Sequence, residues 1–212
     1  MTTIGDIKKQ ALMLMFVNYE NDLSEQDVDT ITDEEYTRYL VNMNSCINRA
    51  IKRIQNAGVL PKKTAIITAS TQGEIGTFIA RYNLPSIIED IHTIERITMQ
   101  DNGTGLYDPN VGFGLEGDVL LLLPPTKTQT YRVLYTPSIG KIALNAPSNT
   151  QINVPDEVAE IIPYFIKAEL YEEDEPALAA QARNIFEATL DSLRRSEYSV
   201  QRKVVNVYGG LY

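Results

Sequence analysis

Apolar residues recur along this chain with two different periods, and the places where the period changes divide it into segments. Residues 3–18 are apolar almost all round toward their end, where Leu12, Leu14, Met15 and Phe16 cannot share one face. A first helix is predicted here, buried on more than one side. Residues 33–57 have the cleanest helical period, with Tyr36, Leu40, Met43, Ile47, Ala50 or Ile51, and Ile54 at steps of three and four. Thr32 and Glu35 have capping-box spacing, acids occupy the first turn, and Arg49, Lys52 and Arg53 lie toward the end. Gly58 is placed to close the helix in the left-handed conformation.

From Pro61 the period shortens, and proline and glycine become frequent until Pro155. Short strands are expected at 64–68 and 75–80. Residues 87–99 fit either period, because Ile88, Ile91, Ile94 and Ile97 step by three; β-branched content and the preceding Pro85 favour one long, bent strand. Residues 118–123 and 130–135 should pair as a hairpin across Pro124–Gln129, and Lys141–Leu144 adds a last strand.

Helical spacing returns at Val154. Pro155, Asp156 and Glu157 suit a first turn, and Val158, Ile161, Ile162, Phe165 and Ile166 follow, with Tyr164, Leu170 and Tyr171 widening the apolar stripe. Pro163 removes a bond to the carbonyl of Ala159, so a kink or a delayed start is expected there. After an acidic run, Pro176 opens a second helix over 176–194, with Leu178, Ala182, Ile185, Phe186, Thr189 and Leu193 on one face. The short link makes this pair antiparallel. Residues 196–212 carry Val200, Val204, Val205, Val207, Tyr208, Leu211 and Tyr212, a β-prone set that reads as an extended arm, adding a strand to a neighbour's sheet or lying in a groove on a partner, in preference to a frayed terminus.

The resulting fold class is α+β, with a four-helix core of two N-terminal and two C-terminal helices, an inserted antiparallel β domain and an extended C-terminal arm. The expected divisions are 1–60 with 154–195, 61–153, and 196–212.

Composition narrows the chemistry. A net charge of −9 argues against tight binding to a nucleic-acid backbone, although DNA could slide past such a surface. Cys46 and His92 are the only residues of their kinds, so an intrachain disulfide or a Cys/His zinc site cannot be assembled. Cys46 reads as a packed thiol beside the second helix, and His92 as a structural residue without a partner. Lys8, Lys9 and the apolar run 11–17 imitate a secretory signal but are too short and lack a cleavage site, and no run of about 18 apolar residues exists to span a bilayer.

Two motifs invite functional readings. Asp27 and Asp29, in a stretch of five acids from Glu20 to Asp29, lack the turn glycine and closing glutamate of a calcium loop. Gly112–Gly117 matches the dinucleotide fingerprint but leads into a strand where the fingerprint must open a helix. These glycines read as turns or bulges. No cofactor, metal or catalytic residue is expected, and the protein is not expected to be an enzyme. A small ligand-binding protein or enzyme would need convergent ionisable groups, which the sequence does not offer.

The order of elements, and above all Val154–Tyr171 with Glu172–Ala179 and Ala182–Phe186, resembles the head-to-tail adaptor proteins of tailed bacteriophages, including the tail tubular type. Ile47–Ile51 resembles the core of that family's long helix. The resemblance implies a structural virion protein of the neck. Its partners would be further copies of itself in a ring, commonly twelve-fold, the portal protein above, and a tail or nozzle protein below. DNA would pass through without sequence-specific binding, and no membrane would be involved. A different tail-completion protein is the alternative within the virion. The side chains expected at interfaces are Leu14, Phe16, Tyr164, Phe165 and Tyr171, together with the seven apolar residues of the arm.

Overall fold

A computed structural model describes residues 2–16, 28–68, 73–76, 79–100, 107–108, 112–123 and 130–205. The fold is α+β, with helices and two small antiparallel sheets. The chain forms two compact units, Met1–Leu60 with Ile139–Tyr212, and Pro61–Ser138.

In the helical unit, α1 (Ile4–Met15) begins with a capping box formed by Thr3 and Asp6. The Thr3 hydroxyl accepts from the Asp6 N–H at 3.1 Å, and the Asp6 carboxylate accepts from the Thr3 N–H at 2.9 Å. Helix α2 (Glu34–Ala57) is capped by Asp33 and not by Thr32, with the Asp33 carboxylate accepting from the Glu35 N–H at 2.9 Å. A charged acceptor one residue closer to the helix takes the bond that the hydroxyl was expected to make. Gly58 ends α2 at φ 69°, where a side chain would be strained.

The later helices of this unit follow from its prolines. Pro163 cannot donate, and the chain breaks into α4 (Asp156–Ala159) and α5 (Ile162–Leu170), connected by a turn; the short α3 (Leu84–Ile87) belongs to the other unit. Helix α5 touches α1, α2 and α6 (Pro176–Val205). Ile4, Ile7, Leu12, Met43, Ile47, Ile54, Ile162, Ile166 and Phe186 are fully buried in this unit's core, each contributing about 1.5–3 kcal/mol over exposure. Glu169 on α5 accepts ion pairs from Arg49 of α2 at 2.8 Å and Arg183 of α6 at 3.1 Å.

Helix α6 does not stop near residue 195. It continues to Val205, so the first ten residues of the expected extended arm are helical, and 206–212 lie outside the described residues. Extending a formed helix by one residue adds a hydrogen bond for each residue fixed, and Glu197, Gln201, Arg202 and Lys203 are good helix formers. That local gain outweighs the weaker helix preference of three valines.

Lys141–Leu144 forms no strand either. Its polar backbone groups are taken by asparagines of α2: Asn48 donates to the Ile142 carbonyl at 2.8 Å and accepts from the Ile142 N–H at 2.9 Å, while Asn44 donates to the Leu144 carbonyl at 2.9 Å. Asn48→Ala is therefore expected to destabilise the helical unit by about 1–3 kcal/mol, because two backbone groups lose their partner in a partly buried place. Urea denaturation measures it, with a lowered midpoint and an unchanged slope as the expected result.

In the other unit, one sheet has the order β1-β8-β4-β5, from β1 (Lys63–Ile67), β4 (Ile91–Gln100), β5 (Tyr107–Asp108) and β8 (Thr130–Pro137). The second has β2-β3-β7-β6, from β2 (Glu74–Ile75), β3 (Ala80–Asn83), β6 (Gly112–Glu116) and β7 (Val119–Leu123). The short α3 (Leu84–Ile87) follows β3. The expected hairpin of 118–123 with 130–135 does not form, because β7 pairs with β3 and β6 whereas β8 pairs with β1 and β4. Two strands this apolar each gain more by sitting between two neighbours than by pairing once. The real hairpin joins β6 to β7, and Gly117 at φ 60° followed by Asp118 has the pattern of a type II′ turn.

The isoleucine step of three finds its explanation in β4. Register shifts lie between Ile91 and Thr93 and between Ile94 and Arg96, so one extra residue is inserted at each place. Ile91, Ile94 and Ile97 then face Pro137, Tyr135 and Val133 in turn. Two bulges convert a spacing of two into a spacing of three.

Candidate interaction faces of the helical unit

Helix α1 ends in an apolar run whose last carbonyls have no partner within the helix. Lys167 of α5 donates to the Leu14 carbonyl, and the hydroxyl of Tyr171 donates to the Met15 carbonyl at 2.8 Å. A cation at the negative end of α1 also suits the helix dipole. These two bonds hold α1 against α5 and leave Met13 and Leu14 turned to its flank, where they line a groove.

That groove has a volume of about 510 Å³. Met13 and Leu14 of α1, Ile161, Pro163 and Tyr164 at the start of α5, and Ile185 and Thr189 of α6 line it. Gln10 and Glu160 also line it and are exposed. Ile185 is 39% exposed, and Leu178, two turns earlier on α6, is 40% exposed. Thr189 turns its hydroxyl back to the Ile185 carbonyl at 2.9 Å, so its methyl group is left for the groove.

A second cavity of about 410 Å³ is polar, lined by residues of the α1 start, Val28, Asp29 and the 147–149 loop. Its acids are already engaged. Asp29 accepts from the Ser148 hydroxyl at 2.6 Å, which holds its carboxyl below the usual range, and Asp6 is held low by Thr3. Gly5 lies so close to this loop that a Cβ would stand 3.0 Å from that of Ser148. Among the described residues, no group of three His, Cys, Asp or Glu is placed to hold a metal. Asp27 lies outside the described residues.

The sequence-derived interface residues separate into distinct places. Leu14 and Tyr164 meet in the groove. Phe16 packs edge-on against Tyr36 and Tyr39, with centroids 4.8 and 5.7 Å away, and Phe165 packs on Phe186 at 5.0 Å. Tyr171 is only 7% exposed and serves the core. Val200, Val204 and Val205 lie on the helical backbone of α6, whereas Val207, Tyr208, Leu211 and Tyr212 lie outside the described residues. Met13, Ile161, Ile185 and Thr189 also line the groove and are not among the residues expected at interfaces; for Ile185, expected on the inward face of its helix, the position one residue from Phe186 at the edge of the stripe is the available signal. Cys46 is buried, and burial raises its thiol pKa. His92 is exposed on β4.

Burial pushes the Tyr171 phenol up to about 12, from an ordinary value of 10.0. The unfolded chain therefore releases this proton first, so the stabilisation is complete below pH 10 and is lost as pH rises toward 12. Tyr171→Phe is expected to flatten the alkaline loss of stability across that window, at a cost of about 1 kcal/mol at neutral pH for the bond to Met15. Tyr135, also raised to about 12 by burial and Asp90, keeps a residual slope in the variant. Thermal unfolding followed from pH 9 to pH 12 is the check; an unchanged profile would contradict the assignment.

No helix among the described residues is long and apolar enough to cross a membrane. The family model described as SU10 adaptor protein matches residues 2–206. No curated protein matches the chain.

Proposed function

This chain belongs to the SU10 adaptor protein family, and from that premise we propose that it forms the head-to-tail adaptor ring of a tailed phage, seated beneath the portal. The family match over residues 2–206 carries the reading, since it places a structural phage adaptor across nearly the whole chain. In this reading α1, α2, α5 and α6 make the helical core of each subunit, and the ring, twelve-fold as in the resembling proteins, extends the DNA channel and presents a docking surface to the tail or nozzle.

Two features support it. The groove beside α1 and α6 leaves apolar surface that a subunit standing alone would expose, and a heterologous ring gives each such surface a complement on the next subunit. Leu14 and Tyr164 are the interface residues this assigns. The net charge of −9 suits a wall that DNA passes without being gripped.

Mass by light scattering tests the reading, with the purified protein alone and mixed with the portal ring of the same virus. A ring, or a stoichiometric complex with the portal, is expected. A monomer indifferent to the portal would overturn it.

A further inference from the structure

The groove between α1 and α6 needs an occupant, and this chain carries a segment of matching chemistry. Residues 206–212 contain Val207, Tyr208, Leu211 and Tyr212 and no charged side chain. A groove of about 510 Å³ is within the size range that holds a small ligand, enough for two or three such side chains. Exposed Glu160 is part of the lining, and Arg202 and Lys203 lie a few residues ahead of Val207, so the charges around the two surfaces are complementary.

The subunit's own segment cannot fill the groove. Helix α6 runs on past Thr189 and Ile185 to Val205, which lies roughly 24 Å beyond Thr189 and roughly 30 Å beyond Ile185 at 1.5 Å per residue. Seven residues doubled back at full extension cover at most about 25 Å. Tyr212 would only draw level with Thr189, and Val207 and Tyr208 would remain well short. A copy of this segment on a neighbouring subunit is not limited in this way.

We propose that the groove lined by Leu14, Tyr164 and Ile185 receives residues 207–212 of a neighbouring copy of this chain. This rests on the ring reading and deepens it, because each subunit then offers a groove at one place and an apolar segment at another, the head-to-tail arrangement that closes a ring. Aromatic and branched side chains of the segment suit the apolar lining around Tyr164, and Gly209 and Gly210 give its backbone freedom to adapt.

The test measures the contact without the portal. A fluorescein-labelled peptide of residues 201–212 is titrated with the full chain and followed by anisotropy. Saturable binding is expected, weakened at least tenfold by Ile185→Glu, which places a charge on an already exposed position and should leave the unfolding temperature nearly unchanged. Leu178→Glu, on α6 outside the groove, should leave binding as it was. Absence of saturable binding, or equal binding to the Ile185→Glu variant, would overturn the inference. Cosedimentation with the portal ring separates the two readings: a chain that joins the portal but ignores the peptide keeps the adaptor function and loses the groove, and a chain that binds the peptide but ignores the portal does the reverse.

Discussion

Phe186→Ala is expected to destabilise the helical unit by about 3–5 kcal/mol and to lower its unfolding temperature by roughly 10 °C. Phe186 is fully buried, and its ring meets Phe165 edge-on at 5.0 Å. Truncation loses the transfer free energy of the ring and leaves a void that helices α5 and α6, held by Glu169 to Arg183 and Arg49, cannot readily close. The aromatic pair adds about 0.5–1.5 kcal/mol beyond its buried area. Phe165 and Phe186 sit next to the groove residues Tyr164 and Ile185 in sequence, so a collapse here should also weaken the peptide binding described above. Phe186→Leu, which keeps most of the volume, should lose far less. Calorimetry of the three proteins decides; a shift of only a degree or two for Phe186→Ala would mean that the core relaxes around the void.

Val133→Asp is expected to unfold the β unit at neutral pH. Val133 is fully buried on β8, paired to Ala65 of β1 on one side and Ile97 of β4 on the other. Its neighbours Tyr131 and Tyr135 on the same face belong to the same core. A carboxylate at this position faces apolar side chains, and burying an unpaired charge costs several kcal/mol even after relaxation, against a total domain stability of about 5–15 kcal/mol. The sign of the pH dependence follows: burial would raise this carboxyl's pKa in the folded state, so the protonated form is the better tolerated and structure should return in part as pH falls. Amide exchange across β1, β4 and β8 at pH 7 and pH 4 measures both effects. Full protection at neutral pH would mean that the position is more open than its burial indicates.

The elements that could be read from the chain were those whose causes are local. The period of Tyr36 to Ile54 and the glycine at 58 mark α2 without reference to anything else, and Pro163 announces the break between α4 and α5. Expectations failed where two local signals competed or where a partner lay far away. Valine-rich 196–205 looked extended because β-branched residues favour strands, yet the helix already formed upstream carried through it. Lys141–Leu144 alternates like a strand, but the asparagines that bind it sit on α2, nearly a hundred residues earlier. In the groove, Leu14 and Tyr164 were legible as surplus apolar residues on crowded helices, whereas Ile185 was not, because its exposure depends on where α1 ends.

Sequence by itself determined the α+β class, the helices α1 and α2, the break at Pro163, the strand at β4, and, through residues 154–186, the adaptor family that the match over residues 2–206 supports. Periodicity, caps and prolines act within a few residues of one another, so these features are written locally. Tertiary structure alone decided which strands pair, where β4 bulges, and that Met13, Leu14, Tyr164 and Ile185 line one groove. Those outcomes depend on contacts between residues distant in sequence, whose free energy is gained only when both sides are brought together.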